Sequence, residues 1–74
     1  MGQTFFDLEG APVWFTTDGV FLFEYSKRSP IAFFEQGQAV ANQRSIFSLS
    51  GKYLGFSQEN WIYDEIGQAW MFGG

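Results

Sequence analysis

Hydrophobic residues along this chain fall in short runs, each broken by a glycine or a pair of polar residues. No apolar period of 3.6 residues persists beyond one turn, so the pattern predicts strands and no substantial helix. Three stretches align without a gap: Thr4 to Phe15, Ser45 to Phe56 and Trp61 to Phe72. A fourth, Phe21 to Phe33, aligns with one additional residue at its centre, where Lys27-Arg28 stands in place of glycine. Such an internal repeat defines the folding unit and has to be recognised before the fold is read.

Reading down the aligned copies gives five columns. One is aromatic throughout, as Phe15, Phe33, Phe56 and Phe72, and a second is Phe6, Phe23, Phe47 and Tyr63. Just ahead of the second come Phe5, Leu22, Ile46 and Ile62, and just after it the polar Asp7, Glu24, Ser48 and Asp64. A fifth column is Val13, Ile31, Leu54 and Trp70. Each unit is therefore an apolar run, an Xaa-Gly tip and a second apolar run, which is the pattern of a β-hairpin. Glu9-Gly10, Ser50-Gly51 and Ile66-Gly67 are expected as two-residue type I′ turns, because glycine takes the positive φ such turns need. The second unit is expected to carry a longer tip. Asp18-Gly19 and Glu59-Asn60 have the turn chemistry to hand one hairpin to the next.

The units span residues 4–17, 20–35, 45–58 and 60–73 of a single domain covering 1–74. Residues 36–44 form a longer connection, read as a surface loop or as one helical turn from Gln38 to Gln43. Long loops are a common place for function. A lone hairpin is marginal in water, so the four are expected to pack around a pseudo-fourfold axis as a small closed all-β toroid with few free edges. Strand alternation, read from the invariant phenylalanines, puts both aromatic columns at the centre. The expected core is Phe6, Phe15, Phe23, Phe33, Phe47, Phe56, Tyr63 and Phe72. Trp14, Ala32, Gly55 and Met71 then point outward, so Trp14, Tyr25, Tyr53, Trp61 and Met71 are the candidate partner-binding residues.

The third unit, Phe47-Ser48-Leu49-Ser50-Gly51-Lys52-Tyr53-Leu54-Gly55-Phe56, followed by Trp61-Ile62-Tyr63-Asp64, resembles the bacterial four-fold β-flower domain. That family has four hairpin petals around a pseudo-fourfold axis and a Gly-Lys-x-Leu-Gly-aromatic stretch in the third petal. The resemblance covers roughly residues 4–72. Phe56 stands where the family often has tryptophan, and the 36–44 connection is longer than typical. The resemblance implies a fold, and it brings no set of functional residues.

Composition narrows the chemistry. Seventy-four residues make one domain, near the lower size for a core without staples. Aromatic residues reach 22% while charged residues are only 16%, the reverse of a disordered chain. The absence of cysteine and histidine removes disulfides, the usual zinc, haem and iron–sulfur sites, and histidine-based catalysis. No cofactor is expected. A net charge of −4 argues against nucleic acid and against an anionic membrane surface. The start Met1-Gly2-Gln3-Thr4-Phe5-Phe6 lacks a basic and then apolar leader, and no run is long enough to span a bilayer, so the expected location is cytoplasmic.

The polar column offers one sharp possibility: Asp7, Glu24 and Asp64, with Ser48, could hold a hard cation such as Ca²⁺ if they converge on the axis. Ordinary alternation, with these residues wetting the outer face, is the plainer reading. A carboxylate pair for glycoside hydrolysis is weaker still, since nothing sets the separation that chemistry needs. Trp14, Trp61 and Trp70 suit ligand stacking, core filling or an interface. The function expected is a non-enzymatic protein-interaction or assembly module, binding a protein partner or a second copy of itself. The alternative is a small acidic inhibitor that sequesters a basic partner.

Overall fold

The hairpin tips show how the repeat folds. In the first unit the Asp7 carbonyl accepts from Gly10 N–H at 3.0 Å while the Asp7 N–H donates to the Ala11 carbonyl at 2.8 Å. Three residues thus form the loop, with only Gly10 at positive φ (91°). The same pair of bonds closes Ser48 to Gly51 and Lys52, and Asp64 to Gly67 and Gln68. These tips are three-residue loops with a left-handed glycine last, which corrects the expected two-residue type I′ turns: a I′ turn needs positive φ at both central residues, and Glu9, Ser50 and Ile66 do not supply it. In the second unit the bonds run from Arg28 N–H to the Glu24 carbonyl and from Glu24 N–H to the Ser29 carbonyl, one residue longer. Arg28 takes the glycine's place in the left-handed region, at φ 55°.

The computed structural model of the protein describes residues 2–35 and 43–74. Its strands are β1 (Gln3–Asp7), β2 (Pro12–Thr16), β3 (Phe21–Glu24), β4 (Pro30–Phe34), β5 (Gln43–Ser48), β6 (Tyr53–Gln58), β7 (Trp61–Asp64) and β8 (Ala69–Gly73). Each pairs antiparallel with the next, and β8 pairs back onto β1 through Phe6 opposite Phe72, so the eight form a closed barrel. Closure leaves no sheet edge exposed. The third unit begins earlier than expected, because Gln43 and Arg44 already pair with Gln58 and Ser57. The rest of the 36–44 connection lies outside the described residues.

Every hairpin carries a bulge at the same place. Phe5 faces Trp14 and Phe6 faces Pro12, leaving Val13 over; Ile31, Leu54 and Trp70 are the extra residues in the other three. Bulges raise the local twist, and a fourfold set of them suits the curvature a small barrel needs. Val13, Ile31 and Leu54 turn their side chains against the core.

The interior is the opposite face from the one expected. Leu22, Ala32, Ile62 and Met71 have no exposed surface, and Phe5, Trp14, Phe34 and Ile46 are buried beside them. All but Phe34, which follows the invariant Phe33, come from the column ahead of the aromatic one and from the column before each invariant phenylalanine. Phe6, Phe15, Phe23, Phe33, Phe47, Phe56, Tyr63 and Phe72 are all half-buried on the outside. The reason is capacity: an eight-stranded barrel has an interior just wide enough for a layer of side chains, too narrow for eight aromatic rings. With Phe5, Trp14 and Phe34 already inside, leucine, isoleucine, methionine, alanine and glycine fill the remaining interior positions of these two columns.

The outer aromatics have a different task. Phe6 stacks on Phe72 at 5.8 Å, Phe15 on Phe23 at 5.2 Å, Phe33 on Phe47 at 5.9 Å and Phe56 on Tyr63 at 4.9 Å. Each pair consists of directly opposed residues on neighbouring hairpins. The phenylalanines are thus four clasps across the four seams, each worth about 0.5–1.5 kcal/mol beyond the area it covers.

Candidate functional site

The polar column closes the first, third and fourth hairpins. Asp7 Oδ1 accepts from the N–H groups of Glu9 and Ala11, both at 2.9 Å. Asp64 Oδ1 accepts from Ile66 at 3.0 Å and Gln68 at 2.9 Å, and Ser48 Oγ accepts from Lys52 N–H at 3.1 Å. A short oxygen-bearing side chain at the loop entrance mimics a backbone acceptor and locks the tip. Among the described residues no three carboxylates come together as a cation site requires, so Asp7, Glu24 and Asp64 do not converge on the axis. At the opposite end of the barrel Asp18 works in the same way. Its Oδ1 accepts from Val20 N–H at 2.8 Å and Phe21 N–H at 3.1 Å, which holds its pKa below the ordinary 3.8. Thr16, buried next to it, accepts from Gly19 N–H at 2.9 Å.

The expected partner-binding set divides. Trp14 and Met71 are interior side chains and are removed from it, for the same reason that the core column was inverted. Tyr25, Tyr53 and Trp61 remain on the surface. Trp61 lies 5.9 Å from Phe72 on the outside of the fourth hairpin, and Tyr53 meets Phe47 edge-on at 5.8 Å.

The outer face of each hairpin carries one further residue opposite its clasp phenylalanine. It is Phe21 in the second unit and Trp61 in the fourth, but Thr4 in the first and Ser45 in the third. Over the first hairpin the small Thr4 leaves a groove of about 580 Å³, lined by Gln3, Thr4, Phe6, Phe15, Tyr25 and Arg28 among others. The longer second tip supplies one wall. Tyr25 N–H donates to the Val13 carbonyl at 2.9 Å, its ring stands edge-on to Phe15 at 6.1 Å, and the Arg28 guanidinium lies 5.8 Å over the Phe15 ring. A small residue at position 4, a feature shared with Ser45 of the third unit, and the enlarged second tip, which no other unit has, therefore meet at one place. Three aromatic rings, a hydroxyl, an amide and a guanidinium face the groove. The groups can receive an apolar side chain and, through the guanidinium fork, a carboxylate.

The hairpin tips carry residues that sequence reasoning missed. Leu8, Leu49 and Ile66 are 61%, 52% and 74% exposed at the ends of three tips. All four tips lie at one end of the barrel, because each follows an odd-numbered strand of an antiparallel meander. A hollow of about 260 Å³ opens between the third and fourth tips, lined by Lys52, Tyr53, Leu54, Glu65, Ile66 and Trp70, with Asp64. The available signal was a large apolar residue inside a three-residue turn, where polar residues are the rule and no core is within reach.

A family model described as 4-fold beta flower protein matches residues 3–73, nearly the whole chain. No curated protein and no solved structure matches.

Proposed function

The chain belongs to the 4-fold beta flower family, and on that premise we propose that it is a non-enzymatic protein-interaction module. The observation that carries this reading is the groove over the first hairpin, placed where the repeat departs from its own symmetry. Its occupant is an extended segment of a partner protein. An aromatic or aliphatic side chain lies against Phe6, Phe15 and Tyr25, and an acidic group takes the Arg28 guanidinium. Among the described residues Arg28 has the Phe15 ring beneath its guanidinium and no carboxylate paired with it. A cytoplasmic location suits an uncrosslinked domain of this kind.

Trp61 supplies the control for a test, since it occupies in the fourth hairpin the position that Thr4 holds in the first. A photo-crosslinking benzoylphenylalanine at Tyr25 is expected to capture one partner in the native cell. Thr4→Trp fills the groove and is expected to abolish the crosslink while leaving the melting temperature within a few degrees. Crosslinking that ignores Thr4→Trp refutes the groove as the site.

A second reading, an acidic inhibitor that sequesters a basic partner, draws on Asp7 and Glu9 lying on the hairpin adjacent to Asp64 and Glu65. It predicts an affinity that falls steeply with salt, whereas the groove reading predicts a shallow dependence from a single Arg28 contact.

A further inference from the structure

The end of the barrel formed by the hairpin tips has a charge pattern that complements itself. Around it stand Glu9 on the first tip, Lys27 on the second, Lys52 on the third and Glu65 on the fourth, all exposed. Since β8 pairs with β1 and β4 with β5, the two acidic tips are neighbours and the two basic tips are neighbours. One half of the rim is negative and the other positive, and the exposed apolar Leu8, Leu49 and Ile66 stand among the charges.

We propose that this rim is a self-association surface whose occupant is a second copy of the chain, related by a twofold axis in the plane of the rim. An axis along the seam between the third and fourth hairpins lays each fourth tip over the other copy's third tip, and each first tip over the other's second. Glu65 then meets Lys52 of the second copy, and Glu9 meets Lys27. The hollow between the third and fourth tips lies on the axis and faces its own image, so Ile66 of each copy enters the hollow of the other. Such an isologous contact closes at two and cannot run on into a fibre. The inference rests on the interaction-module reading and meets the groove only at the second tip, where Lys27 enters the dimer contact while Tyr25 and Arg28 line the groove.

The size of the face sets the strength. The molecule measures 29 × 23 × 22 Å. An end face of that width covers roughly 400 Å², so the pair buries on the order of 800–1,000 Å², the low end for specific interfaces. The dimer is therefore weak, with a Kd on the order of 100 μM. Steering by the charged halves makes it weaker still at high salt.

Sedimentation velocity from about 10 μM to about 1 mM tests it, a range that brackets the expected Kd. The mass is expected to rise from 8.4 kDa toward twice that value. Ile66→Asp is expected to leave a monomer with an unchanged melting temperature, since the side chain is mostly in solvent. Lys52→Glu and Glu65→Lys should each weaken the dimer about tenfold or more, because each reverses two symmetry-related pairs. The double variant should regain it, and the two single variants mixed together should form a heterodimer. A wild-type chain monomeric at 1 mM overturns the proposal, as does a dimer indifferent to these changes or a double variant that fails to recover. Thr4→Trp separates the two readings: it blocks the groove and should leave the dimer intact.

Discussion

Gly55 is the position at which the least chemistry should do the most damage. It lies on β6 opposite Ile46 and Asp64, at φ 156°, with its missing side chain directed at the neighbouring strand. An ideal Cβ placed there would press into the Tyr63 carbonyl oxygen and come within 3.0 Å of Tyr63 C and Asp64 Cα. All three are backbone atoms of β7, so relief requires the strand to move and no rotamer change suffices. β6 also stands four strands from β2 in the ring of eight, so Gly55 is across the interior from Trp14, the bulkiest side chain in the core. Overpacking of a filled core typically costs 1–3 kcal/mol, and a clash with backbone belongs at or above the upper part of that range. We therefore expect Gly55→Ala to lose about 2–4 kcal/mol. For a domain of this size that is a fall in Tm of about 10–25 °C. Gly51→Ala is the matched control: it has positive φ as well (96°), but nothing within 4 Å of its Cβ. Its cost should be about 1 kcal/mol, from backbone conformation alone. Thermal unfolding followed by tryptophan fluorescence reads both, since Trp14 moves from a dry interior to water. The reasoning is refuted if Gly55→Ala melts within a few degrees of the wild type, or no lower than Gly51→Ala.

Two further predictions concern the core and the turns. Ile62→Ala should cost about 2–4 kcal/mol because it empties a fully buried site, whereas Tyr63→Ala should cost about 1–2 kcal/mol, the stacking on Phe56 and its covered area. Urea denaturation of the two variants that gave the reverse order would place the aromatic columns back inside. Asp18 contributes stability that depends on pH, in the acidic direction. Its folded pKa lies below 3.8, chiefly through the Val20 and then the Phe21 N–H bonds, so the contribution is complete above the unfolded value and lost as pH falls through the folded one. Below about pH 4 the Tm of the wild type should fall more than that of Asp18→Asn; equal slopes would show that the carboxylate is not favoured by folding.

The hairpins and their fourfold arrangement were legible because a glycine tip, a polar loop entrance and an apolar strand recur together. The choice of face was not, and the cause is specific. In each first strand two adjacent columns are apolar, Phe5, Leu22, Ile46 and Ile62 beside Phe6, Phe23, Phe47 and Tyr63, so alternation alone is satisfied either way round. What settles it is volume. A column containing Ala32 and Gly55 has room only if it faces a crowded interior, and an invariant phenylalanine on the second strand is better spent as half of a clasp. Part of the groove was legible too, since Tyr25 and Lys27-Arg28 stood out where the second unit departs from the other three. Thr4 did not stand out, because its significance appears only when its column is set against Phe21 and Trp61. Leu8, Leu49 and Ile66 were passed over because turn residues were read for turn chemistry alone.

The departures from symmetry differ between the two faces of the sheet. Inside, a large residue is answered by a small one: Trp14 has Gly55 across the barrel, and Met71 on β8 has Ala32 on β4. Close packing demands this, since total interior volume is fixed by eight strands and any excess in one petal has to be returned in another. Outside, no such demand exists. Thr4 in place of a Phe21 or Trp61 is not compensated by a larger neighbour that closes the gap; the enlarged second tip builds a wall beside the gap and leaves it open. An uncompensated vacancy on the outer face adds nothing to stability, because Trp61 demonstrates in the same fold that an aromatic ring fits there and gains contact with Phe72. The packing of the barrel therefore gives no reason for a threonine at position 4, nor for Ser45 at the same place in the third hairpin; what sets position 4 apart is the enlarged second tip beside it, which walls the vacancy into a groove.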